Sequence, residues 1–356
     1  MMPKSRLFVV NDDTYRNTIE SGIASIIMPA PTGQQWLKTF SDIMADMLQI
    51  SIGDYIFFWK TRNKENKSEI YGVYRAISKP FYRCDDKNDI APFKIHIEKA
   101  YDFCEPIEEY DALNNPYAKN SLWTLSGKKI SGKSRGTSPL SMEESKYLID
   151  LLIGKNPDYI FIPFDSSRII EVQSELAVNY TNTTNKNYRS LQEINPSELS
   201  FISENNVRYE KILETIFNQE LTRKNALFFR PIGIDVDKVI WYCNYLPYSI
   251  ERSEIDYMII QSDDGFSQTQ VFVIEFQKGQ IDKDHIFRTF VYSKWVSETI
   301  AFGENLVQPI LICNKYKDGI DEIIETFEKD FQSKRVKVYT YDIDSTAAKI
   351  SFTQKR

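Results

Sequence analysis

The sequence predicts two folded units of mixed composition, an α+β unit followed by an α/β unit, and three observations carry that expectation. At 356 residues the chain is long enough for two domains of ordinary size. A hydrophobic content of 42% with 26% charged residues is the profile of a folded globular chain. A stretch rich in Asn, Thr and Ser, from about Asn179 to Asn206, separates two regions of regular hydrophobic patterning. The expected division is therefore a first domain over 1–155, a connecting segment over 156–206 and a second domain over 207–356. No internal repeat is evident.

In the first domain, Leu7 to Val10 reads as a short strand and Trp36 to Met47 as an amphipathic helix. Ile52 to Trp59 begins with a turn at Gly53-Asp54 and continues as an aromatic strand. A polar loop, Thr61 to Ser68, leads to a second strand, Ile70 to Ile77, which makes the pair a hairpin. Phe93 to Ile97 alternates as another strand. Ser141 is the expected N-cap of a helix that runs to Ile153, and Tyr159 to Pro163 reads as a strand.

The second domain opens with a helix from Val207 to Glu220, whose Ile212, Leu213, Ile216 and Phe217 fall at helical spacing. Strands follow over Val239–Tyr245, Glu254–Gln261 and Gln270–Gln277, then a helix over Asp284–Ile300 and a strand over Gln308–Cys313. A helix over Ile320–Phe331 and a strand over Val336–Tyr341 close the pattern. Helix, three strands, helix, strand implies layers around a mixed sheet.

Charge and cysteine content narrow the chemistry. The formal charge of −6 argues against a surface wholly coated in nucleic acid and leaves room for a local basic groove. Cys84, Cys104, Cys243 and Cys313 show no CxxC spacing, and no long apolar run is present, so a cytoplasmic protein with no membrane partner is expected. His96 and His285 are the two histidines, too few and too isolated for a zinc site. A metal, if used, is expected to be a hard ion on carboxylates, Mg2+ or Mn2+.

One constellation fits that requirement. Glu254 to Gln261 and Gln270 to Gln277 are joined through Asp263-Asp264-Gly265 as a hairpin. That places Asp256 near the start of one strand beside Glu275 near the end of its antiparallel partner, so the two carboxylates can share one ion. Ile274 and Phe276 flank Glu275 and point to the other face by the two-residue period. A carboxylate in an apolar strand is costly without a partner, and a divalent cation is such a partner. Glu171-Val172-Gln173 also has an acid upstream, Asp165, but the gap is too short for a hairpin. His285, just after the constellation, is given no role.

These residues resemble the PD-(D/E)xK nuclease superfamily over roughly residues 205 to 345. Asp256 matches its first acidic ligand, and Glu275-Phe276-Gln277 matches its (D/E)xK tripeptide in the variant with Gln for Lys. Glu210, with Glu214 a turn later, stands at the place of its helical glutamate, and Arg288 to Tyr292 resembles its R/QxxxY element. The resemblance implies a restriction-endonuclease-like αβββαβ core in which Asp256 and Glu275 hold the metal. It further implies that Gln277 orients a water, that Lys278 or Arg288 offsets charge at the phosphate, and that Glu210 and Tyr292 belong to the same site.

The first domain resembles the EVE and YTH branch of PUA-like domains over about residues 5 to 152. The carrying residues are Phe8-Val9-Val10-Asn11, Gly53 to Trp59, Tyr71 to Ala76 and Gly132 to Ser141. This implies a small β-barrel with helices that receives a flipped, modified base. The expected pocket residues are Asn11 at the base edge and Trp59, Phe81 and Tyr82 for stacking. Lys128, Lys129, Lys133 and Arg135, in a segment without acids, are expected to contact the phosphate backbone.

Together the two resemblances imply a modification-dependent, type IV-like restriction endonuclease acting on double-stranded DNA, with a homodimer suggested by the need for two strand cuts. Three alternatives stay open at this point. One is an ExQ-type nuclease of mobile elements or recombination, and another is a non-catalytic nucleic-acid binder with a decayed nuclease fold. The third is RNA as the target.

Overall fold

The computed structural model describes residues 3–28, 33–61, 67–83, 90–114, 136–181, 188–195, 202–203, 206–248, 253–265, 267–301, 303–344 and 349–356. Contacts divide the chain into one unit over Met2–Ile194 and another over Asn195–Arg356.

The first unit runs β1 (Ser5–Val10), α1 (Asp12–Ser21), β2 (Ile23–Ile26), α2 (Gly33–Leu48), β3 (Tyr55–Lys60) and β4 (Glu69–Ala76). It continues with β5 (Phe81–Arg83), β6 (Phe93–Lys99), β7 (Ile107–Glu108), α3 (Glu109–Asn114), β8 (Thr137–Leu140), α4 (Met142–Lys155), α5 (Ser166–Thr181) and β9 (Tyr188–Ser190). The sheet order is β8-β1-β3-β4-β6-β5-β9, with β2 on β6 and β7 on β4. The β3–β4 hairpin is antiparallel, as its sequence predicts, and β1 pairs parallel to β3. Among the described residues no pairing joins β8 to β9, so hydrogen bonds do not close the expected barrel along this path.

Strand β3 is buried on both faces because its aromatic residues feed two cores. Phe57 and Trp59 pack with Ile70, Leu148 and Leu152 on one side. Phe58 meets Phe8, Tyr15 and Tyr74 on the other. Gly72 permits this packing, since a Cβ there would sit 2.8 Å from the Phe57 ring. Helix α4 starts with a full capping box, Ser141 accepting from Glu144 N–H while the Glu144 carboxylate accepts from Ser141 N–H.

The span 156–206 is expected as a connection, and its described residues include regular elements. It holds α5, and its β9 pairs with β5 of the first unit's sheet. Tyr159 to Pro163, read as a strand, contributes one bridge, Tyr101 to Phe161. The proline at 163 lacks the N–H that a longer ladder would need at that position.

The second unit contains β10 (Ile202–Ser203), β11 (Asn206–Val207), α6 (Lys211–Thr222), α7 (Ala226–Phe229), β12 (Val239–Tyr248), β13 (Ser253–Gln261) and β14 (Gln270–Gln280). After these come α8 (Lys283–Thr299), β15 (Val307–Lys315), α9 (Ile320–Phe331), β16 (Lys337–Asp344) and β17 (Lys349–Gln354). The main sheet is ordered β12-β13-β14-β15-β16-β17. Its first three strands are antiparallel, β14-β15-β16 are parallel, and β17 returns antiparallel. Helices α8 and α9 make the crossovers that parallel neighbours require. Their Ile286, Phe290, Ile320 and Ile324 pack on Leu311, Cys313 and Val338. Phe217 of α6 meets Tyr257, Phe276 and Phe352, rings that line the opposite face. The helix, three strands, helix, strand order and the mixed sheet are those the sequence predicts. Strand β17 and helix α7 are additions.

Candidate active site and candidate base pocket

The β13–β14 register pairs Tyr257 with Ile274 and then stops. One step further along the same register, Asp256 faces Glu275, so both side chains lie on one face of the sheet. The ladder ends there because the Asp256 carboxylate replaces a backbone acceptor: Phe276 N–H donates to Asp256 Oδ2 at 2.9 Å.

Glu275 is only 2% exposed. Its Oε1 forms an ion pair with Arg288 Nη2 of α8 at 2.9 Å, whereas its buried Oε2 has no hydrogen-bond partner among the described residues. Burial first, and then the Asp256 charge, push its pKa well above the usual carboxylate range; Arg288 pulls it down and Glu210 adds to the rise. A buried carboxylate oxygen without a donor carries a desolvation cost, which Arg288 offsets only in part. Two facing carboxylates with one orphaned oxygen form a hard-oxygen donor set and fit a divalent cation such as Mg2+ or Mn2+. Among the described residues no group of three or more His, Cys, Asp or Glu converges on a metal position. The pair alone suits an ion that keeps waters and substrate phosphate as its other ligands.

The structure separates the remaining sequence candidates. Glu210, at the start of α6, accepts from Lys278 N–H at 3.2 Å and is felt electrostatically by Glu275. Glu214 is fully buried, held by Lys211 Nζ at 2.5 Å and Asn244 Nδ2 at 2.8 Å, which makes it part of the fold beneath the sheet. Lys278 does not stand in for the missing lysine. It lies at an irregularity in the β14–β15 register between Gln277 and Gln280, and its ammonium donates to the Arg208 carbonyl at 2.9 Å. Arg288 does reach the pair, through Glu275. Tyr292, one turn on, is 2% exposed and packed into the interior.

Gln277 shares the Glu275 face and is half-buried. Its Nε2 lies 2.7 Å from His285 Nε2, and His285 Nδ1 lies 2.5 Å from Asp282 Oδ1. Sequence reasoning assigns His285 no role. The available signal was its helical spacing, three residues before Arg288 and so on the same face of α8.

The first unit carries a cavity of about 490 Å³ with a mixed lining, in which Val9, Ile26 and Ile43 stand beside polar and acidic groups such as Asn11, Thr39 and Asp42. Asn11 lines this cavity, and its Oδ1 accepts from Thr14 N–H at 2.8 Å as the N-cap of α1. The three expected stacking rings are elsewhere. Trp59 is in the core, with its Nε1 donating to Glu109 Oε2 at 3.2 Å. Phe81 is buried and stacked on His96 with centroids 5.4 Å apart. Tyr82 packs against Phe40 and Phe93. Each large ring gains extensive apolar contact in the core. Lys128, Lys129, Lys133 and Arg135 lie outside the described residues; Gly136, next in the chain, lines the cavity.

No protein-family model matches the chain, and no curated protein matches it. Solved structures similar over part of the chain include proteins crystallised with methylated nucleic acid. Human THYN1 in complex with 5-methylcytosine-containing DNA is 12% identical, with TM-score 0.27, covering 42% of this chain and 97% of its own. The YTH domain of Zygosaccharomyces rouxii MRB1 in complex with N6-methyladenosine RNA is 16% identical, with TM-score 0.24, covering 42% and 86%. A hypothetical protein from Leishmania major is 8% identical, with TM-score 0.32, covering 43% and 97%. Among the described residues, no helix is long and apolar enough to cross a membrane.

Proposed function

We propose that the chain is a modification-dependent DNA endonuclease, in which the first unit receives a modified base and the second hydrolyses a phosphodiester. The observation that carries this reading is the buried Glu275, whose orphaned Oε2 lies on the same sheet face as Asp256. Asp256 and Glu275 would hold Mg2+ or Mn2+. Such an ion, when bound, supplies a more acidic water and offsets phosphate charge. The protein's own contribution is orientation. Arg288 fixes Glu275, Asp256 is anchored by Phe276 N–H, and the Gln277 amide presents a neutral hydrogen-bonding group where lysine would have placed a charge. The mixed apolar and polar cavity of the first unit suits a base extruded from its stack and read by its edge. Double-stranded DNA as substrate and a homodimer that cuts both strands complete the proposal.

A single cleavage assay tests it. The full-length protein and magnesium are incubated with plain, methylated, hydroxymethylated and glucosylated phage DNA, alongside Asp256→Asn. The asparagine keeps an acceptor for Phe276 N–H and removes the charge. Cleavage of a modified substrate is expected from the native protein and none from the variant, with DNA binding and thermal midpoint retained. Unchanged cleavage by Asp256→Asn would remove the assignment. Equal cleavage of plain and modified DNA would favour a mobile-element nuclease instead.

A second reading has its own support. Gln277 in place of lysine, and the Arg288 ion pair on Glu275, also suit a non-catalytic binder of modified DNA or RNA. Binding to a modified oligonucleotide without any cleavage in magnesium or manganese is the result that selects it.

A further inference from the structure

We propose that His285, fixed by Asp282, is a positioning residue that sets which end of the Gln277 amide faces the reaction; this rests on the nuclease reading above. Asp282 is the N-cap of α8, and its Oδ1 accepts from the backbone N–H of Asp284 and of His285, each at 3.0 Å. The same oxygen lies 2.5 Å from His285 Nδ1. An ionised carboxylate only accepts hydrogen bonds, so Nδ1 carries the imidazole proton. In the neutral ring, Nε2 is then a lone pair and its partner must donate. That partner is the Gln277 amide, so its NH2 end is tied to His285 at 2.7 Å and its carbonyl oxygen is left for the face it shares with Glu275.

The spacing supports a dedicated arrangement. Residues two apart on a strand lie about 6.7 Å apart, and residues three apart on a helix have Cβ atoms about 5–6 Å apart. His285 and Arg288, three apart on α8, therefore match Gln277 and Glu275, two apart on β14. One helical face holds both members of the Glu-x-Gln pair, Arg288 through Glu275 Oε1 and His285 through the Gln277 amide. A lysine at 277 would bring its own charge and need no such orientation. A glutamine contributes only if its acceptor oxygen is turned the right way, and in that orientation it holds a water through the water's own O–H. The His285–Asp282 pair is thus the structural counterpart of the substitution at 277.

Three full-length variants test this: His285→Ala, Gln277→Lys, and the two combined. Loss of an outer partner of this kind is expected to lower magnesium-dependent kcat about 10- to 100-fold, with KM for DNA unchanged. Gln277→Lys combined with His285→Ala should restore cleavage to the level of Gln277→Lys alone, because lysine does not depend on the imidazole. An unaffected His285→Ala protein, or a double variant as impaired as His285→Ala, would overturn the inference while leaving the nuclease reading standing. A second measurement does not involve cleavage. Histidine 15N resonances of the metal-free protein should show His285 as the Nδ1–H tautomer at neutral pH, with its Nε2 signal shifted by Gln277→Ala. The chain has two histidines, so the His285→Ala spectrum makes the assignment. An Nε2–H tautomer overturns the inference whatever the activity. A native protein that cuts no DNA removes the catalytic role together with the nuclease reading, and the tautomer still decides the orientation of the amide.

Discussion

At Glu275, burial and the neighbouring Asp256 charge both favour the protonated carboxyl, and Arg288 opposes them only in part. A group whose folded pKa lies above its ordinary value of 4.5 contributes stability that is complete below that value. That contribution is lost as pH rises through the folded pKa. The thermal midpoint of the metal-free protein should therefore fall as pH rises from about 4.5 toward the folded pKa and level off above it, and Glu275→Gln should lack this fall. At pH 8 the variant should be more stable by about 1–3 kcal/mol, the cost of a buried unsatisfied polar group. Added magnesium should stabilise the native protein and not the variant, as scanning calorimetry at several pH values would show. Superimposable pH–stability curves for the two proteins would mean that Glu275 is not strained in the fold. Arg288→Ala acts in the opposite sense. With its counter-charge gone, Glu275 should hold its proton to higher pH, and the acid limb of the cleavage profile should move upward. An unmoved acid limb would separate Arg288 from the titrating carboxylate.

Elements with strong local patterns were legible in the sequence. The β3–β4 and β13–β14 hairpins follow from alternation and polar turns, and α4 from its capping residues. The facing of Asp256 and Glu275 needs only the register of one hairpin, which is why two residues 19 positions apart could be paired without coordinates. Helix α5 was not legible because it is largely exposed; Leu176 is its main buried residue, and one apolar anchor leaves no periodicity to read. The contact between His285 and Gln277 depends on how α8 docks on the sheet, which local pattern does not encode. Trp59 illustrates a third limit, since an aromatic residue in a strand has the same composition whether it lines a pocket or a core. Trp59→Ala should therefore cost about 3–5 kcal/mol of stability, measured by denaturant unfolding. A loss of DNA affinity at unchanged stability would return Trp59 to the pocket.

At the scale of the whole chain, the cavity falls within Met2–Ile194 and the carboxylate pair within Asn195–Arg356, two separate sets of contacts. If recognition and hydrolysis are divided in this way, each should be removable without the other. Thr39, half-buried on α2 at the cavity wall, is the suitable handle, because a larger side chain there occupies space that a flipped base would need. Thr39→Phe should abolish the preference for modified over plain DNA in competition binding while preserving magnesium-dependent cleavage at saturating DNA. Asp256→Asn should do the reverse, retaining the preference and losing the cut. This double dissociation is demanding because either half can fail alone. If Thr39→Phe kept full discrimination, the cavity would not be the base site. If it also stopped cleavage at saturating DNA in a stably folded protein, hydrolysis would depend on occupation of the cavity, and the two units would act as one device with recognition as a switch on the chemistry.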